Sequence, residues 1–292
     1  RDQPRSRGLG DVYKRQGGMI VRRNFIREKA FDARNSRYKE VELFEYSEEE
    51  QEAVRQKRKT RTRASPPKIK SLNDSNSRKH FRWLFFNNFC KGDYHIVLTY
   101  DDEHLRRGIP DCKREFSNYI RCMKRLYIKK GLELRYLYVI EGTNDGARFH
   151  YHLIVNSGKG KVTRDEVELL WKCAKRTNSK SLQYDDDGTF TSLVNYLMKS
   201  HDSKKKWERS WNCSQNLKRP EITVDDNKVS KRTMRRIQDA ARNDEVRMIM
   251  SRVYPKFKII DYEIGQNPVT GRDYARSVSY THLRAHETEA DL

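Results

Sequence analysis

The chain has 292 residues, 35% of them hydrophobic and 35% charged, with a formal net charge of +21. The apolar share lies below the ~45–50% usual for globular domains, so a packed core extends over only part of a chain whose length allows one or two domains. The charge points to nucleic acid or an acidic membrane surface as partner, no run of ~18 apolar residues is available to cross a bilayer, and five cysteines without a CxxC pair suit free thiols in a reducing compartment better than disulfides or a zinc site.

The two ends read differently from the rest. Residues 6–16 and 278–288 back-translate to strings that are reverse complements of one another, and those strings are similar to the adapter of transposon-based sequencing libraries. Residues 1–18 and 277–292 are therefore set aside as translated adapter, with Met19 as the expected start. The charge argument does not depend on them.

Residues 19–76 form a basic extension and linker. Arginines alternate with aromatics through Tyr46, without a pattern that marks a compact unit. Ser47-Glu48-Glu49-Glu50 opens a helix expected over 48–60, acidic at its start and basic at its end, as the helix dipole favours. That helix is either a solvated surface or an arm on phosphates. Ser65-Pro66-Pro67 breaks it, and polar residues through Ser77 make a linker.

From Ser77 the apolar pattern sharpens. A helix is expected over 78–89, with Phe81, Leu84, Phe85 and Phe89 inward, then a strand over 94–100. A helix from Pro110 to about Lys130 carries the stripe Phe116, Ile120, Met123, Leu126 and Tyr127. Strands follow over 134–141 and 148–156, joined by a hairpin with Asn144-Asp145-Gly146 turn chemistry. Then come a helix over 163–174, a short strand over 181–184 and a helix over 191–200. Hairpin-paired strands mixed with crossover helices predict an α+β fold, an antiparallel central sheet flanked by helices, over 77–201. Residues 202–276 form a basic region with Lys204-Lys205-Lys206, Trp207, Trp211, a helix over 230–243 and a last strand over 257–264.

The chemistry gathers on the strand Arg148-Phe149-His150-Tyr151-His152-Leu153. Residues two apart on a strand share a face, so His150 and His152 look one way and Phe149, Tyr151 and Leu153 the other. Two imidazoles on one face suit adjacent positions around a metal ion; equally, they suit the solvated face of a half-buried strand. The hairpin brings Glu141 beside them as a third ligand, or as a residue that simply ends a strand. Tyr196 and Lys199 lie three apart on one helix face, which ordinary packing with a snorkelling lysine also explains. Gly158-Lys159-Gly160-Lys161 lacks the spacing of a P-loop, and Asp185-Asp186-Asp187-Gly188 lacks the spaced ligands of an EF-hand and reads as a turn.

The order of these parts adds a further reading. Leu98-Thr99-Tyr100, then His150-Tyr151-His152, then Tyr196-x-x-Lys199 resembles the three motifs of HUH endonucleases, the initiators of rolling-circle replication. The likeness is closest to the replication-associated proteins of small single-stranded DNA phages and mobile elements. It covers about residues 75–225 and includes Trp211-Asn212-Cys213-Ser214-Gln215-Asn216-Leu217-Lys218-Arg219-Pro220. The resemblance implies an HUH/Rep fold, a relative of the ferredoxin-like folds. It also implies nicking and joining of single-stranded origin DNA through a 5′-phosphotyrosine on Tyr196, with Lys199 stabilising charge. The expected metal is Mg2+ or Mn2+ on His150, His152 and Glu141. Only one tyrosine stands on the helix, so a single-tyrosine mechanism is implied. Expected partners are origin DNA and the helicase and polymerase of a bacterial host, in its cytoplasm, with no membrane. A transposase or relaxase with the same chemistry remains open, as does a non-catalytic basic nucleic-acid-binding protein.

Overall fold

The computed structural model describes residues 13–16, 19–22, 24–34, 37–48, 67–106, 109–142, 148–175, 177–186, 188–199, 211–240, 245–267 and 270–281. The helix expected over 48–60, the turn at 144–146, Lys204 to Trp207, and residues 1–12 and 282–292 lie outside them. Two compact units result: a central one of residues 33–37 and 73–220, and a terminal one of residues 1–32, 38–72 and 221–292.

The terminal unit takes up both ends of the chain. Strands β1 (Tyr13–Gln16) and β2 (Met19–Arg22) form a two-stranded antiparallel pair. β3 (Phe25–Asp32) and β4 (Tyr38–Tyr46) then make a hairpin where the sequence shows no compact unit. Alternation hid it: Ile26, Ala30, Val41 and Leu43 face one apolar core, while Arg27, Lys29, Glu40 and Glu42 interleave on the other face.

Helix α1 (Pro67–Asn88) starts inside the segment read as a linker. Proline suits the first helical turn, where its missing N–H costs no hydrogen bond, so Pro67 opens this helix.

In the central unit follow β5 (Tyr94–Leu98), α2 (Asp102–Arg106), α3 (Ile109–Lys129), β6 (Tyr136–Glu141) and β7 (His150–Val155). After them come α4 (Arg164–Leu169), β8 (Asn178–Ser181), α5 (Thr191–Met198) and β9 (Trp211–Cys213). The sheet runs β8-β5-β7-β6-β9 and is antiparallel throughout. The histidine strand β7 is its centre. Ile96, Leu98, Tyr151, Leu153 and Val155 bury one face against Phe116, Ile120, Met123 and Tyr127 of α3. Phe116 stacks flat on Tyr151, with ring centroids 4.0 Å apart. The 3.6-residue stripe and the two-residue alternation, both legible in the sequence, meet here.

β8 lies three residues earlier than expected, because its pairing with β5 runs from Tyr94↔Ser181 to Val97↔Asn178. An edge strand needs only one bonded side, so a polar Asn-Ser-Lys-Ser run serves and leaves no apolar signal. β9 is tied to α1. Trp211 donates through Nε1 to Ser77 Oγ at 3.0 Å and packs edge-on against Phe81, 5.5 Å between centroids. Its ring is thus part of the fold.

The chain closes with β10 (Ile222–Asp225), α6 (Lys231–Ala240), α7 (Val246–Val253), β11 (Phe257–Gln266) and β12 (Asp273–Thr281). The terminal sheet runs β10-β3-β4-β12-β11. Met234, Ile237, Ile249 and Met250 of the two helices complete its core. β12 follows the strand expected to be last. Residues 277–281, within the segment set aside as adapter, continue its pairing with β4 and β11. No helix among the described residues is long and apolar enough to cross a membrane, and all five cysteines are free.

Candidate active site

Three strands and one helix build the site. Glu141 pairs with His150 across the β6–β7 hairpin, and Val139 pairs with His152. All four side chains therefore project from the face opposite α3. The hairpin needs glycine directly after Glu141. Gly142 has φ +78°, and a Cβ there would stand 2.5 Å from the Arg148 carbonyl oxygen. The start of β7 is held down by Arg148, whose Nε and Nη2 donate to the Tyr100 carbonyl at 3.0 and 2.5 Å. The segment Leu98-Thr99-Tyr100 thereby anchors the histidine strand through a main-chain oxygen.

The donor atoms of Glu141, His150 and His152 all lie within 4.8 Å of one another, the one such group of three or more among the described residues. His150 Nε2 and His152 Nε2 are 3.2 Å apart. Glu141 Oε2 stands 3.4 Å from His150 Nε2 and 3.7 Å from His152 Nε2. Two donors sharing one ion at ~2.1 Å and roughly 90–110° stand about 3.0–3.4 Å apart, so the spacing fits a divalent cation.

The hydrogen bonds sharpen that fit. His150 Nδ1 lies 2.7 Å from the Arg148 carbonyl oxygen. A carbonyl only accepts, so Nδ1 carries the proton, and in the neutral ring Nε2 holds a lone pair. That lone pair faces a carboxylate oxygen and a second imidazole. Electron-rich atoms converge there, and only a proton or a cation between them relieves the repulsion.

His95 on β5 is a third imidazole that the sequence reading passed over. It pairs with Ile154 and so shares the face of His150 and His152. Its Nε2 lies 3.1 Å from His152 Nδ1, and the two rings stack at 5.3 Å and 27°. Burial first, then His152 and Lys180, push His95 down to about 4. Lys180 of β8, directly across from His95, adds a cation on the same face. The signal was present: His95 alternates with the inward Ile96 on a strand already recognised.

Helix α5 supplies the tyrosine. Val194 and Leu197 are buried, and the preceding Phe190 packs against Phe85 and Phe86 at 5.5 and 6.3 Å. The Asp185-to-Gly188 turn is a helix cap: Asp185 Oδ2 accepts from Ser192 N at 2.8 Å, which satisfies a donor of the first turn. Thus fixed, Tyr196 is 53% exposed, yet its ring meets His152 edge-on at 5.5 Å and 85°. Lys199 is exposed and caps the same helix, its N–H directed to the Tyr196 carbonyl. The structure therefore gathers Glu141, His150, His152 and Tyr196, and places Lys199 one turn beyond the tyrosine.

An α+β domain with an antiparallel sheet, whose central strand presents two histidines and a carboxylate beside a tyrosine helix, has the architecture of an HUH/Rep-like domain. Residues 93–201 match the family of the replication-associated protein ORF2. No curated protein and no solved structure matches the chain. The matched segment spans β5 to α5 and so contains every residue of the site. The match makes this segment similar to replication-associated proteins.

Proposed function

We propose that the chain is a rolling-circle replication initiator, an HUH endonuclease with a single nucleophilic tyrosine. The observation that supports this most is the approach of Tyr196 to His152, on the face where Glu141 and His150 converge. Tyr196 Oη attacks the scissile phosphorus of single-stranded origin DNA. The bond to the 3′-oxygen breaks, a 5′-phosphotyrosine bond forms, and the freed 3′-OH primes synthesis. One phosphate ester replaces another, so rejoining needs no nucleotide cofactor. Glu141, His150 and His152 hold Mg2+ or Mn2+, which polarises the phosphate oxygens when bound. Lys199 offsets developing negative charge near the tyrosine. Lysines and arginines of residues 202–276 bind the DNA backbone, and host helicase and polymerase extend the nick in the bacterial cytoplasm. Residues 77–201 are the nicking domain within this reading, and residues 1–18 and 277–292 are translated adapter.

The test is incubation with circular single-stranded DNA and Mn2+ or Mg2+, followed by a denaturing gel. A metal-dependent protein–DNA adduct that chelator prevents is the expected result. Retention of DNA without adduct under either metal would favour a basic binding protein without catalysis.

A further inference from the structure

His95 lies outside the three motifs, and the mechanism above gives it no part. Its position is nonetheless specific. β5 and β7 are neighbours, and the His95↔Ile154 register sets His95 diagonally beside His152 on one sheet face. The contact joins His95 Nε2 to His152 Nδ1 at 3.1 Å. His152 is 2% exposed, so its Nδ1 has little access to water as an alternative partner.

A neutral imidazole carries one proton on two nitrogens. If His152 carries it on Nε2, that nitrogen cannot ligate, and Nδ1 must then accept from His95. If His152 carries it on Nδ1, the proton needs an acceptor, and Nε2 is free to ligate beside His150 Nε2 at 3.2 Å. His150 solves the same problem with the Arg148 carbonyl at 2.7 Å. For His152 the atom in reach is His95 Nε2. Ligating histidines in metal sites are held by such partners, and loss of one typically weakens metal binding by about 10–100-fold.

We propose that His95 is the positioning residue of the metal site. Its Nε2 accepts a hydrogen bond from His152 Nδ1–H, which fixes His152 in the tautomer whose Nε2 lone pair points at the ion. His95 acts through His152 and does not itself ligate. This rests on the metal reading given above.

The experiment is Mn2+ titration of wild-type protein, His95→Leu and His95→Gln, with folding of each checked by thermal melting. The imidazole 15N shifts of His152 are recorded in parallel in Mg2+-saturated wild type. His95→Leu is expected to bind Mn2+ about 10–100-fold more weakly. His95→Gln, whose amide oxygen accepts the same hydrogen bond, is expected to recover a large part of that loss. His152 is expected to show a protonated Nδ1 and an unprotonated Nε2. Equal affinity in His95→Leu and wild type, or a protonated Nε2 on His152, overturns the role of His95 while leaving the metal site intact. Absence of Mn2+ binding in wild type overturns the metal reading and this one together. Should His95→Leu fail to fold, the 15N shifts of wild type decide alone.

Discussion

The two five-stranded sheets set their carboxylates among different partners. In the terminal sheet each buried carboxylate meets a donor. Glu40 is completely buried and accepts from Arg276 Nε at 2.5 Å and from the Tyr38 hydroxyl at 2.7 Å. Glu28 accepts from the Tyr254 hydroxyl, and Glu42 from the Tyr274 hydroxyl at 3.3 Å. At the edge of that sheet Arg27 grips Asp226 with two bonds of 2.7 and 2.8 Å. In the central sheet Glu141 faces the Nε2 atoms of two imidazoles, one of which directs its proton to a backbone carbonyl. The first arrangement is complete as folded. The second has the spacing to take a divalent cation. Polar residues that satisfy one another hold a structure together; acceptors that converge on one another mark a place where something binds.

The contrast can be broken most severely at Tyr196. Its hydroxyl is the proposed nucleophile and the residue is half exposed, so Tyr196→Phe removes chemistry without touching the core. The nicking rate is expected to fall on the order of 10^4-fold or more, the scale on which enzymes lose rate with a covalent nucleophile. Mn2+ affinity and melting temperature are expected to stay at wild-type values. Persistent adduct formation in this variant would remove Tyr196 from the mechanism.

Much of the central sheet was legible because its two periodicities are clean. The α3 stripe and the alternation of 149, 151, 153 and 155 left a single solution for which face of β7 is buried. His150, His152 and Glu141 followed from that parity and one hairpin. The terminal sheet was illegible for the complementary reason. Its strands place Arg27 and Glu40 on a face where the ionic partners Asp226 and Arg276 lie 199 and 236 residues away in sequence. A local reading saw only a mixed basic run. The start of α1 was missed because proline both ends helices and begins them. His95 was missed because it belongs to no motif, and only the β5–β7 register shows which residue it touches.

The second way to sharpen the comparison is to disturb a completed site. Arg276→Met leaves Glu40 buried without its cation. Breaking a buried pair in this way typically costs about 3–5 kcal/mol, whereas replacing both partners by apolar residues costs far less. Denaturant melts should show the single variant strongly destabilised and the double variant Arg276→Met/Glu40→Met substantially recovered. Equal losses in the two would mean that the pair itself, rather than the stranded charge, carries the stability.

The unfinished site should respond in the opposite sense. Mn2+ at about 100 times its dissociation constant is expected to stabilise the protein by ~2.7 kcal/mol, the linkage value for one site, and chelator should reverse the gain. Glu141→Gln removes one of the converging acceptors, so the metal-free protein should melt no lower than wild type while the gain from Mn2+ shrinks. A Glu141→Gln protein that melts well below wild type without metal would place Glu141 with the completed carboxylates.

The smallest effect lies within the central unit itself, at a carboxylate of the completed kind. Glu166 accepts from Lys130 Nζ at 2.5 Å and from Thr163 N at 2.9 Å, as the capping box of α4. The Lys130 hydrogen bond first, and then the Thr163 N–H, hold its carboxyl below the ordinary value of 4.5. A group whose folded value is depressed adds stability above its unfolded value and loses it as pH falls through the folded one. The melting difference between wild type and Glu166→Gln should therefore be full at neutral pH and fade as the pH drops below 4.5. A difference that stayed constant through that range would mean that the charge on Glu166 contributes nothing and that only the shape of the cap matters. Glu166 is held by a lysine and an amide that already carry protons, whereas Glu141 faces imidazole nitrogens, and the two carboxylates of one domain are separated by what their partners do with their protons.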